Sequence, residues 1–318
     1  MSTSIVSGQY STNPLSDFSN GAVQQPQSAV LDELIAELEQ MLSGMGSNSG
    51  SSGGGSGSSG GLGGLGGAGG TPAPASFTPG ESTAPRTSVG TVTGTNGGSG
   101  PGKVNLGGFS DLQLPVGNGG HAQNIHGNMS EINNQYFKQN PNGSVTFTVP
   151  DGDTAKNPGS SYPRSELSEN GSWHMGDGTA TMSAKLSIDK APNSKDIVIG
   201  QIHERQGTNG KPRPPLELHY RNGDIVASVM DNSNSASAGR HDIVIAKNVN
   251  PKDINYNISL GKSGQLNIEA NGQSKSVQLS GSFGNADLYF KAGNYTQDSS
   301  AHNGGSAVTF SGLNITHT

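Results

Sequence analysis

Three short stretches of the chain carry polar side chains of the right types and spacing to do chemistry: RSEL at 164–167, QIH at 201–203 and YFKAGNYTQ at 289–297. In an extended strand alternate side chains project from one side. Arg164 and Glu166 then share a face, as do Gln201 and His203, and so do Tyr289, Lys291 and Tyr295, with Gly293 leaving space between the last two. A cation beside an amide binds a carboxylate through directional, charge-assisted hydrogen bonds. An imidazole can take a proton and a phenol can give one. Each pair alone also fits something plainer: a surface ion pair, a satisfied histidine, a packing tyrosine. Chemistry requires that the fold bring the three together.

The elements that must position them read as strands. SVTFTVP (144–150), ATMSAKLSI (180–188), DIVIGQIHE (196–204), LELHYRNGDIVASV (216–229) and LNIEANGQSKSVQL (266–279) alternate apolar and polar residues between turn-forming ones. Asn222-Gly223 and Asn271-Gly272 stand where a two-residue hairpin turn needs positive φ. In DIVIGQIHE, Ile197, Ile199, Gln201 and His203 fall at one parity, which predicts a single strand face turning from apolar to polar. No comparable helical period appears after Val104, so residues 104–318 are expected to form an all-β sandwich or barrel.

The first hundred residues follow other rules. Only 30% of the 318 residues are hydrophobic and 50 are glycine, too little apolar material for the whole chain to pack. In the N-terminal region, 1–43, one amphipathic helix is expected over 29–43, with Val30, Leu31, Leu34, Ile35, Leu38, Met41 and Leu42 on its apolar face and Ser28 as its cap. A lone helix of this length needs a partner, so self-association or an export partner is expected there. Residues 44–103 are Gly/Ser-rich and then Pro/Thr-rich, a linker expected to be disordered.

Composition excludes several functions. A net charge of -6 gives no footprint for nucleic acid. The absence of cysteine removes disulfides and thiol chemistry. No run of 18 apolar residues exists, so no membrane-spanning helix is expected. The N-terminus lacks the basic start and apolar block of a secretory signal, so any secretion is expected by another route. His121 and His126 of HAQNIHG are spaced like a ligand pair, but in a Gly/Asn-rich loop no metal is expected, nor any cofactor.

In order, RSEL, QIH and YFKAGNYTQ resemble the three signature blocks of the alginate lyases of polysaccharide lyase family seven. NGSVTFTVPDGDTAKNPGSSYPRSEL is similar to that family's approach to its first block. The resemblance covers about residues 104–318. It implies a β-jelly roll of two antiparallel sheets with a substrate groove on the concave face, and β-elimination on an anionic polysaccharide. Alginate is the first expectation and another polyuronate, such as glucuronan or a polygalacturonate-like chain, the second.

The resemblance also implies roles. Arg164 and Gln201 would hold the substrate carboxylate, His203 would act as base or help neutralise charge, and Tyr295 would protonate the leaving oxygen or, depending on the epimer bound, supply both base and acid. Lys291, Glu166 and Tyr289 would bind or position substrate. Ser168 stands where the family usually has a second arginine, and the tryptophan often found at the start of the domain is missing, the one tryptophan being Trp173. Ile202 of QIH is associated in the family with acceptance of guluronate-containing blocks. The leader resembles, in composition, the harpins of plant-associated bacteria, which implies type III export and an extracellular setting. The competing expectation is a non-catalytic glycan-binding module or elicitor.

Overall fold

The computed structural model describes residues 101–318 apart from 118–120, 153, 159, 208–211 and 235–237. The expected helix 29–43, nearly all of the expected linker and the harpin-like leader lie outside the described residues.

The described chain is built of strands: β1 Phe109–Leu114, β2 Gln123–His126, β3 Phe137–Gln139, β4 Val145–Val149, β5 Arg164–Glu169, β6 Ala180–Lys190, β7 Asp196–Glu204 and β8 Leu216–Arg221. There follow β9 Asp224–Met230, β10 Arg240–Ala246, β11 Ile254–Leu260, β12 Gln265–Ala270, β13 Gln273–Gln278, β14 Leu288–Thr296 and β15 Ser306–His317. They form two antiparallel sheets in a jelly-roll-like sandwich, as the sequence led us to expect. One sheet has the order β10-β9-β8-β7-β14-β5-β1-β2, the other β13-β12-β11-β6-β15-β4-β3.

Alternation explains the seven-stranded sheet. Ile254, Tyr256, Ile258 and Leu260 of β11 are buried and the residues between them are not. In β4 the same period buries Val145, Phe147 and Val149. Phe147 meets Phe137 and Phe310 edge to face, each at 5.3 Å between ring centroids, an arrangement that adds quadrupole attraction to area burial. Both expected hairpin turns form: Asn222 and Gly223 have φ of 52° and 90°, Asn271 and Gly272 of 48° and 76°.

Two sequence expectations change. The HAQNIHG segment is not all loop, since Gln123–His126 pairs with β1 as an edge strand. The single face expected along β7 is broken by a register shift between Val198 and Gly200. Ile197, Ile199 and Ile202 pack into the core with Leu216, Leu218 and Tyr220, whereas Gln201 faces the other way, opposite Glu217. A bulge inserts a residue and so reverses the parity of the rest of the strand. That is how an apolar strand start and a polar strand end come to lie on opposite faces.

Candidate active site

β5, β14 and β7 are neighbours in the middle of the eight-stranded sheet. Across β14 and β5, Tyr295 lies opposite Arg164, Gly293 opposite Glu166 and Lys291 opposite Ser168. On the other side of β14, Lys291 lies opposite Gln201 and Tyr289 opposite His203. Directly opposed residues of an antiparallel pair share a face. All seven residues singled out in the sequence therefore stand on the face turned away from the core.

Two backbone features hold this register. Gly293 has φ +155°, and a Cβ there would come within 2.5 Å of the Ser165 carbonyl oxygen and 2.7 Å of Glu166 Cα. Only glycine allows the two strands to approach so closely. Beneath the β7 bulge, the Tyr256 hydroxyl reaches from β11 across the core and donates to the Ile199 carbonyl at 2.9 Å. Gly200 leaves room for it, since a Cβ would approach that hydroxyl to 2.8 Å. Nothing in the local sequence of either strand announces this cross-sheet prop.

Glu166 is the hub of the cluster. Its carboxylate is completely buried and accepts from Lys291 Nζ at 2.6 Å, Gln201 Nε2 at 2.5 Å and Arg164 Nη1 at 3.3 Å. Burial alone would raise this carboxyl, but Lys291 and Arg164 outweigh it and hold it below its ordinary value. Burial lowers Lys291, with Glu166 opposing. Two cations around one carboxylate leave a net positive charge facing outward. The Arg164 Nε and Gln201 Oε1 atoms are buried without a protein hydrogen-bond partner. A buried polar atom left unpaired is costly, and a polar ligand would relieve it.

His203 is prepared differently. Its Nδ1 is 2.8 Å from the Glu204 carbonyl oxygen, which can only accept, so Nδ1 carries the proton and Nε2 keeps its lone pair. Burial first, and the Lys291 charge second, lower its pKa to about 3, so the ring is neutral. The Tyr289 ring lies 5.5 Å from it, and burial followed by Glu166 pushes the Tyr289 phenol up to about 12.

Tyr295 is covered by Arg164, whose Cζ sits 3.4 Å from the ring centroid. Its hydroxyl is 3.4 Å from Ser160 Oγ, which also accepts from Arg164 Nη2 at 2.8 Å, and Tyr162 packs edge-on at 6.2 Å. Ser160 and Tyr162 went unnoticed in the sequence, although they stand within the SSYPRSEL approach to the first block. Asn294 was also missed. It is fully buried, donates to the Phe147 carbonyl and accepts from Thr296 and Ser306, pinning the backbone between Gly293 and Tyr295.

Other sequence candidates lie apart. Ile202 is buried in the core and presents no atom to this face. His126 pairs with Asp111, while His121 stands in an isolated bridge with Lys156. Among the described residues no group of three or more His, Asp or Glu is arranged to hold a metal. Glu169 points away from the cluster and binds Trp173 Nε1, the Phe290 amide and His317.

Residues 105–317 match the alginate lyase family. The chain belongs to that family. Solved structures of alginate lyases share the fold. One from Pseudomonas aeruginosa is 26% identical with a TM-score of 0.62, the match covering 67% of this chain and all of that one. The alginate lyase A1-II', a member of polysaccharide lyase family seven, is 27% identical with a TM-score of 0.57, covering 66% of this chain and 95% of its own. A form of A1-II' with one histidine changed to asparagine and one tyrosine to phenylalanine, in complex with substrate, is 28% identical with a TM-score of 0.58, covering 70% and 97%. No curated protein sequence matches the chain significantly.

Proposed function

We propose that this alginate lyase family member cleaves alginate by β-elimination at the cluster built on Glu166. The observation that carries the proposal is the meeting of Arg164, Gln201 and Lys291 on one buried carboxylate, beside a neutral histidine with a lone pair on Nε2.

Removing the proton from carbon five of a uronate builds negative charge next to an ionised carboxylate, and that charge must be neutralised. Arg164 and Gln201 are placed to bind the carboxylate, with Lys291 adding positive charge, and such fixed donors gain strength as charge accumulates. His203 Nε2 takes the carbon-five proton. The electron pair left behind forms the double bond between carbons four and five, the bond from carbon four to the glycosidic oxygen breaks, and the Tyr295 hydroxyl gives that oxygen its proton. Glu166 orients the three donors and does not touch the reacting atoms. The substrate complex of A1-II' in which a histidine and a tyrosine had been replaced supports a pair of these residue types as the working groups in a relative.

The test is the ultraviolet absorbance of the unsaturated product formed by purified protein on alginate. Tyr295→Phe and His203→Gln should suppress it while polymer binding persists. Full activity in both variants would overturn the assignment.

A further inference from the structure

Arg205 stands two residues beyond His203, exposed, at the end of β7. Its Nε and Nη2 donate to the Gly171 carbonyl at 3.1 and 2.5 Å, and Nη2 also to the Glu169 carbonyl at 2.8 Å. Its Cζ lies 4.5 Å from the centroid of the Tyr289 ring, the same ring that packs against His203. The base, the tyrosine and the guanidinium thus form one continuous group.

The partners that hold Arg205 carry no charge. Arg164 pairs with Glu166, Arg221 with Asp196 and Asp242, and Arg240 with Glu217. Arg205 has no carboxylate within ion-pair distance among the described residues, where two carbonyls and an aromatic ring hold it instead. Such partners fix the guanidinium without cancelling its charge, so an anion can be bound at little cost in side-chain ordering. Nη1 has no hydrogen-bond partner among the described residues. The nearby Asp111 is already engaged by His126 and by Ser110.

The location matches a deficit. Ser168 lies between Lys291 and Asp111 in the register and contributes no charge. The two carbonyls that anchor Arg205 follow Ser168 by one and three residues, so a cation from β7 hangs over the end of β5 where β5 itself supplies none. Two residues of strand separate Arg205 from His203, about 7 Å along the backbone. A neighbouring sugar of a bound chain would lie on that scale.

We infer that Arg205, held over Tyr289, binds the carboxylate of the uronate adjacent to the one at which the bond breaks. The inference rests on the placing of elimination at His203 and Tyr295. The substrate is then a chain with carboxylates on consecutive sugars, and an isolated uronate unit would be held less tightly.

The experiment titrates an alginate tetrasaccharide calorimetrically into full-length protein carrying Tyr295→Phe, with and without Arg205→Gln, at low and high salt. Glutamine keeps a neutral donor for the Gly171 carbonyl and removes the charge. Affinity should fall about tenfold, or ~1.4 kcal/mol. The difference should shrink as salt rises, and Arg205→Lys should keep part of the affinity. In the otherwise native chain the loss should appear in KM rather than kcat. An unchanged affinity and salt dependence in Arg205→Gln, whether or not its melting point falls, would make Arg205 only a staple for the 169–171 backbone and overturn the inference. Arg205-dependent binding without any elimination would remove the proposed reaction and leave the subsite standing. Elimination with Arg205-independent affinity would do the reverse.

Discussion

The Lys291 ammonium and the Glu166 carboxylate meet at 2.6 Å, on neighbouring strands and with almost no exposure to solvent. Removing one partner of such a pair leaves a buried charge uncompensated, which costs roughly 3–5 kcal/mol. Glu166→Ala should lower unfolding free energy by about that much in a denaturant titration. Glu166→Gln, which can still hydrogen-bond, should lose less. Equal stability of Glu166→Ala and the unaltered chain would mean that water already compensates the two cations.

Stability should fall with acid through two groups of this cluster. His203 is held at about 3 in the fold, against about 6.5 when unfolded. Between those values the unfolded chain binds a proton that the folded chain refuses, so stability rises with pH across the window and is fully present only above the unfolded value. Glu166 adds a further loss below its ordinary carboxyl range, because its folded pKa is depressed. Melting points measured from pH 4 to 7 should therefore climb, and less steeply in His203→Gln. An identical slope in that variant would show that His203 titrates normally in the fold.

The cross-sheet prop gives a separate test. Tyr256→Phe strips the Ile199 carbonyl of its 2.9 Å donor at the bulge that turns Gln201 and His203 outward. An unpaired buried acceptor costs about 1–3 kcal/mol. We expect unfolding free energy to fall by that much in a denaturant titration, together with lower kcat, because the bulge positions both side chains. Lost stability with unchanged kcat would separate Tyr256 from the site.

Arg164 should not tolerate lysine. The guanidinium contacts Glu166, Ser160 and the Tyr295 ring together, which a single ammonium cannot reproduce. Arg164→Lys should raise KM and lower kcat for the polymer, measured by steady-state kinetics. A variant of native activity would place the carboxylate contact elsewhere.

Much of this site can be read in the sequence because β5 and β14 pair without a register shift. Parity alone then puts Arg164, Glu166, Lys291 and Tyr295 on one face. Parity fails along β7, where Ile197 and Ile199 face the core and Gln201 and His203 do not, since the bulge depends on Gly200 and on Tyr256 from the other sheet. Such a contact between residues 57 apart leaves no local pattern. β1, β10 and β15 went unnamed because their mixed ends dilute the alternation, whereas β11 alternates cleanly and has no such reason. Asn294 and Ser160 carry no spacing signal, since each works through partners that only the fold supplies.

Elimination at the Glu166 cluster is tested most directly by ultraviolet absorbance of the unsaturated uronate. It would be followed with purified full-length protein on separate polymannuronate, polyguluronate, glucuronan and polygalacturonate, with Tyr295→Phe in parallel. We expect absorbance to rise on an alginate polymer and Tyr295→Phe to cut the rate at least about a hundredfold. A flat trace on all four polymers from folded protein would contradict elimination at this cluster.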